Sequence, residues 1–287
     1  MSSKQKYIKS FVTSEDGTIV GYRQMGSGPG IVLLHGGVNA SQNLMKMGKL
    51  LSDEFTVYIP ERRGRGMSGP FGSDYNIKKE DQDLKALLNK TGAYYVFGTA
   101  DGALFALHAA ISLPSIHKVI AYEPLIFAGQ PGLDEFKVII KHLDKNIADN
   151  NIAKATVEIT KDSAASFRAI PDLVLIPLVK LILWINQRNV KGDDVPYQHL
   201  IQVLGPELHV VEKTEGTIDE YKVVSAKVLI LEGSKTQSLL KDSATELYNV
   251  LPCSDLVELK GLNHDSAQDY GKPKPIANEI KRFLKEK

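Results

Sequence analysis

Three short segments of this 287-residue chain carry groups suited to nucleophilic acyl chemistry: His35-Gly36-Gly37, Gly98-Thr99-Ala100-Asp101-Gly102 and Gly261-Leu262-Asn263-His264. The middle segment follows an apolar run at 94–97 and opens an Ala-rich stretch of helical period. A strand, a tight turn and a helix in that order lift the central residue above a sheet edge, and small residues two positions to either side keep the turn free of clashes. Gly98 and Gly102 fill those two places, so Ala100 stands at the apex, where a catalytic serine would be expected. Alanine has no nucleophilic atom. A rival register puts the Asp101 carboxylate at the apex as an ester-forming nucleophile. It exchanges the flanking glycines for Thr99 and Ala103 and fits the turn less well.

The other two segments supply what such a nucleophile needs. Glycine lets backbone approach a substrate oxygen closely, so the N–H groups of Gly36 and Gly37, with that of Asp101 at a helix N-terminus, are the expected oxyanion donors. His264 lies on a loop directly after the last strand-like run and is the expected base, since the chain order nucleophile, acid, base places it there. His35 belongs to the oxyanion turn, and the remaining histidines lie outside strand-end loops. The acid that orients the base is less plainly marked, because the loop 233–237, Gly-Ser-Lys-Thr-Gln, has no carboxylate. Glu123, between nucleophile and base in the chain and followed by Pro124, is preferred, and Glu232 is the alternative.

These groups need a sheet to hold them. Apolar runs at 8–13, 18–23, 31–34, 55–59, 94–97, 118–122, 228–231 and 256–259 alternate with stretches of helical period, the pattern of a mostly parallel eight-stranded sheet flanked by helices. Asp16-Gly17 between the first two runs signals a hairpin at one edge. From 125 to 226 the alternation stops and helices are expected at 133–143, 153–168, 170–186 and 196–203. The expected organisation is therefore a core of 1–124 and 227–287 with a helical cap of 125–226 inserted after strand six. Leu173, Ile176, Leu183 and Trp184 on the third of these helices are candidates to line an apolar pocket beneath the cap, although such a stripe also suits plain core packing.

Composition narrows the partners. Lys plus Arg number 35 against 34 for Asp plus Glu, so no global field attracts nucleic acid or an anionic membrane. A small-molecule ester or lactone is the expected partner, with no metal and no cofactor. The lone Cys253 forms no intrachain disulfide and reads as a half-buried structural thiol. Lysines in the opening MSSKQKYIKS are followed by no apolar run, and 170–186 is broken by Pro171, Asp172, Pro177 and Lys180, so neither a leader nor a span is expected and the location is cytoplasmic by default.

With HGG at 35–37, ERRGRGMSG at 61–69, GTADG at 98–102 and GLNH at 261–264, the chain resembles the α/β-hydrolase superfamily over nearly its full length. The Tyr122-Glu123-Pro124 segment, with no acid after the seventh strand, is similar to small capped hydrolases that use a glutamate there, including lactonases of macrocyclic esters. That resemblance implies Glu123 as the acid and a serine-hydrolase mechanism acting on esters or lactones, with carbon–carbon bond hydrolysis using the same parts. Ala100 departs from the pattern, and loss of the nucleophile costs on the order of 10⁶ in turnover. Either a catalytic serine has been replaced, which the intact remainder of the site favours, or the chain is a ligand-binding pseudoenzyme on the same fold.

Overall fold

In the strands of this chain, successive side chains feed two different cores. The structure, a computed structural model, describes residues 7–127, 132–163 and 167–286. On β3 (Gly30–Leu34), Val32 and Leu34 enter one cluster and Ile31 and Leu33 the other; on β7 (Lys227–Gly233), Val228 and Ile230 oppose Leu229 and Leu231 in the same way. Such two-sided burial is the signature of parallel strands covered on both faces, and it explains why these runs are apolar at every position.

The remaining strands are β1 (Ile8–Thr13), β2 (Ile19–Gly26), β4 (Thr56–Pro60), β5 (Tyr95–Thr99), β6 (Lys118–Tyr122) and β8 (Ser254–Leu259). The sheet order is β1-β2-β4-β3-β5-β6-β7-β8, with β1–β2 and β2–β4 antiparallel and every other pairing parallel. All eight expected strands are present, each within a few residues of its expected span. The first hairpin turns at Gly17, φ 85°, and the buried Arg63 guanidinium holds it from behind through Asp16 at 2.7 Å and Asp83 at 2.8 Å.

One face of the sheet is covered by α1 (Met45–Leu51) and, at the end of the chain, a helix over Pro273–Lys285. The other is covered by α2 (Ile77–Thr91), α3 (Asp101–Ser112) and a helix over Ser238–Val250. Between β6 and β7 lie α4 (Leu133–Ala148), α5 (Ile152–Ser163), α6 (Asp172–Asn189), α7 (Tyr197–Gln202) and α8 (Leu204–Glu212), so the two C-terminal helices are α9 (Ser238–Val250) and α10 (Pro273–Lys285). The helix expected over 196–203 is α7, and α8, which follows it directly after Val203, is a further helix that the sequence pattern did not mark. The expected helix 153–168 begins as α5, and residues 164–166 lie outside the described residues. Cys253 is exposed rather than half-buried, because the turn before β8 carries it outward. No helix among the described residues is long and apolar enough to cross a membrane.

Helix α10 shows how a stripe becomes a lid on the sheet. Ile276, Ala277, Ile280, Phe283 and Leu284 recur at helical spacing and are buried against the sheet, while Lys118 and Lys227 stand 5.1 and 5.2 Å from the centre of the Phe283 ring. Truncating that ring opens a cavity that rigid strands cannot close, so Phe283→Ala is expected to lower stability by about 3–5 kcal/mol in urea unfolding.

Candidate active site

The chain leaves β3 for β4 on one side and later enters β5 on the other, so the strand order reverses between β3 and β5. Loops after two such strands diverge and leave a crevice at the carboxyl edge of the sheet, where ligands bind in open α/β folds. Those two loops are His35-Gly36-Gly37 and the turn at Ala100. Ala100 has φ 52° and ψ −120°, a conformation costing of order 1–3 kcal/mol for a residue with a Cβ. Its surroundings enforce it: the Ala100 N–H donates to Tyr122 O, and its carbonyl accepts from Ala103, Leu104 and Leu125. A Cβ on Gly98 would lie 2.4 Å from Gly102 O, and one on Gly102 would lie 2.5 Å from His35 O, which is why both flanks are glycine. The strained apex is thus Ala100, while Asp101 is already the first residue of α3, against the rival register.

On the neighbouring strand, Glu123 directly follows β6 with φ 48°, a second strained non-glycine position. Its Oε1 accepts the Gly233 N–H at 3.0 Å and the Thr236 hydroxyl, which leaves Oε2 to meet His264 Nδ1 at 2.8 Å. The histidine loop reaches over β7 to do so. Tyr122 Oη donates to Asn263 O at 2.6 Å, and a Cβ on Gly233 would lie 2.4 Å from Leu262 O, so only glycine lets the loop pass. Glu232, the alternative acid, is buried beside this pair with Oε2 lacking a hydrogen-bond partner, and burial pushes its carboxyl up. The structure therefore brings Glu123, and not Glu232, to the imidazole. Desolvation pulls the His264 pKa down, but the hydrogen bond and charge of Glu123, helped by Asp265 and Asp101, leave it above 6.5.

The glycine loop is part of a buried charge network that the sequence pattern does not announce. Arg62 Nη1 meets Asp101 Oδ2 at 2.8 Å, Nε meets Glu80 at 3.2 Å and Nη2 meets Glu207 at 2.9 Å, with the guanidinium over the Phe105 ring. Burial works against the Arg62 charge, and the three carboxylates more than restore it. Arg65 pairs with Glu207 as well and donates to Gly37 O. His35 is buried with Nδ1 2.9 Å from Gly36 O, while Nε2 receives the Arg62 N–H at 3.3 Å; burial and the two guanidiniums hold its pKa well below 6.5, so it is a neutral structural ring.

This network alters the expected oxyanion donors. The Gly37 N–H donates to Asp101 Oδ1 at 2.7 Å and is not free, whereas the N–H of Asp101, in the first turn of α3, has no hydrogen-bond partner among the described residues. Gly36 lies against the strained turn at Ala100, the elbow between β5 and α3, where its Cβ would stand 3.3 Å from that of Ala100. Helix α8 sits over the loop: a Cβ on Gly37 would be 2.6 Å from the Leu204 side chain. The expected pocket stripe on α6 divides. Leu175 and Leu183 are buried and Ile176 and Val179 partly so, but Leu173 is 87% exposed and Trp184 51% exposed, stacked under Arg188 at 3.9 Å. A 100° step per residue separates neighbours 183 and 184, so only Leu183 of that pair faces inward. Among the described residues, no group of three His, Cys, Asp or Glu side chains is placed to hold a metal. Arg62, Arg65, Glu80 and Glu207 were not singled out from the sequence; the one signal was the density of arginines at 62–65, whose partners lie far along the chain.

A sheet in this order, turning through positive φ at its switch point, is the α/β-hydrolase fold, and solved structures agree. An α/β hydrolase from Sphaerobacter thermophilus superposes with a TM-score of 0.74 at 24% identity, over 96% of this chain and all of that one. An esterase from Exiguobacterium antarcticum gives 0.71 at 19%, over 97% of this chain and all of that one, and an enol-lactonase from Burkholderia xenovorans gives 0.69 at 16%, over 96% and 100%. In sequence, an uncharacterized hydrolase of Bacillus subtilis is 30% identical over 137 residues, 45% of this chain. The match spans about half, 51%, of that relative's length. No protein-family model matches the chain.

Two outcomes follow from the charges. His264 should titrate above 6.5 when followed by NMR of its ring protons, and Glu123→Gln should lower the midpoint, since desolvation is then opposed only by the charges of Asp265 and Asp101. Because the folded state raises this pKa, the associated stabilisation is fully present below 6.5 and disappears as pH rises through the folded midpoint. Glu207→Ala should cost about 3–5 kcal/mol in chemical unfolding, since it leaves Arg65 buried without its carboxylate.

Proposed function

We propose that this site is built to hydrolyse carboxylic esters or lactones with apolar or aromatic groups, and that Ala100 holds the chain in an inactive form. The observation that carries the reading is the 2.8 Å contact from Glu123 to His264 Nδ1, at the same sheet edge as a strained elbow. With Nδ1–H committed to Glu123, Nε2 is the nitrogen left to take a proton, as a triad base does. A hydroxyl on residue 100 would attack the acyl carbon and pass its proton to His264. The imidazolium, stabilised by Glu123, would return it to the leaving alkoxide, and water would then release the acid by the same route. The Asp101 N–H at the head of α3, with Gly36 and Gly37, would stabilise the oxyanion once the loop amides are free. Helices α4 to α8, with Leu183 inward, form a cap that would shelter an apolar substrate. The esterase and lactonase among the structural neighbours support this substrate class.

A second reading, a ligand-binding protein without turnover, draws on the bond from Gly37 to Asp101, which occupies an amide that acyl chemistry would need. Gain of function separates the two. Ala100→Ser is made alone and together with Asp101→Ser, and initial rates on a small aryl ester are measured against pH. Hydrolysis that rises by orders of magnitude in at least one of these variants, titrates with the His264 imidazole and vanishes on adding His264→Ala is the expected result. Background rates in both would leave only the binding reading.

A further inference from the structure

We infer that the Asp101 carboxylate occupies the substrate oxygen's place at the Gly37 amide, a block on acyl transfer separate from the missing nucleophile. The inference rests on the ester-hydrolysis reading of the site and names a residue that decides whether that chemistry can run. An oxyanion must lie about 2.7–3.1 Å from its donors, and Asp101 Oδ1 already stands 2.7 Å from Gly37 N. One amide has one proton. A charge-assisted bond of this kind is stronger than the one a neutral ester oxygen could offer in exchange, and an oxyanion brought beside the carboxylate would meet a like charge.

The carboxylate has no easy way out. Asp101 is 2% exposed, and its other oxygen is bound at 2.8 Å by Arg62 Nη1, which also donates to His35 O at 3.2 Å. Arg62 is itself fixed by Glu80, Glu207 and the Phe105 ring. From the other side Arg65 holds the Gly37 carbonyl, so the peptide groups on both sides of the Gly37 Cα are fixed by hydrogen bonds. A Cβ on Gly36 would lie 3.2 Å from Asp101 Oδ1 and 3.3 Å from the Ala100 Cβ, which puts the carboxylate and the elbow apex against the same stretch of glycine backbone. A serine at position 100 would thus face an oxyanion site short of one donor and already holding a negative charge.

Two measurements test this. In the unchanged chain, the Gly37 amide proton should resonate far downfield in a ¹⁵N-resolved NMR spectrum, and Asp101→Ser should move it upfield. On 4-nitrophenyl acetate, Ala100→Ser alone should stay near background, whereas Ala100→Ser with Asp101→Ser should exceed it by on the order of 10²-fold, the usual worth of one oxyanion donor. Equal rates for the two variants, both well above background, would overturn the inference while keeping the hydrolase reading. Two silent variants with a Gly37 amide that shifts as expected would keep the carboxylate in its seat and discard ester hydrolysis. Should Asp101→Ser fail to fold, the Gly37 resonance of the unchanged chain still decides, and an amide at an ordinary position overturns the inference.

Discussion

A guanidinium removed from water is tolerated only where carboxylates and carbonyls replace the lost hydration, and Arg62 meets that condition by drawing four separate parts of the chain together. Glu80 comes from α2, Asp101 from α3, Glu207 from α8 and the His35 carbonyl from the loop after β3. None of these groups can leave without stranding a buried charge. The loop, the elbow helix and the nearest helix of the insertion are therefore held in one arrangement, and the carboxyl edge of the sheet takes its shape from that requirement.

On the other side of the elbow, positioning is achieved with strain and hydrogen bonds rather than ion pairs. Ala100 and Glu123 both adopt positive φ, and both are held by neighbouring backbone: Ala100 by Tyr122, Leu125 and the first turn of α3, Glu123 by its N–H to Leu231. Glu123 spends one carboxylate oxygen on Gly233 and Thr236 and thereby aims the other at His264. Its backbone strain has a structural return, because it directs a buried acid across β7. At Ala100 the same kind of strained turn presents only a methyl group, which has no nucleophilic atom.

The insertion presents two unlike faces. Leu175 and Leu183 of α6 turn toward the core, while Leu173, Val174, Leu181, Ile182 and Trp184 face solvent. Helix α8 contributes both apolar contact, through Leu204 over Gly37, and charge, through Glu207 to the arginines. Its attachment to the sheet edge is thus electrostatic as well as hydrophobic.

Much of this architecture was legible in order along the chain. Eight apolar runs, a hairpin at Asp16-Gly17, glycines spaced around residue 100 and a histidine after the last strand all depend on local backbone preference and on side-chain period, which a sequence displays directly. The same local logic located the Ala100 turn and the loops that carry Gly36 and His264. It preferred Glu123 but left Glu232 open, since the two stand at the ends of adjacent parallel strands; the crossing of the histidine loop over Gly233 is what brings Glu123 to the imidazole. Nor could it separate Leu183 from Trp184, since which side of a mostly apolar helix faces inward is decided by what packs against it. The engagement of the Gly37 amide by Asp101 lay furthest from view. It joins residues 64 positions apart and depends on Arg62, Glu80 and Glu207 closing around the same point. Glycine spacing along a chain reveals where an amide can approach an oxygen, but which oxygen it meets is settled only when distant charges are forced to share one buried volume.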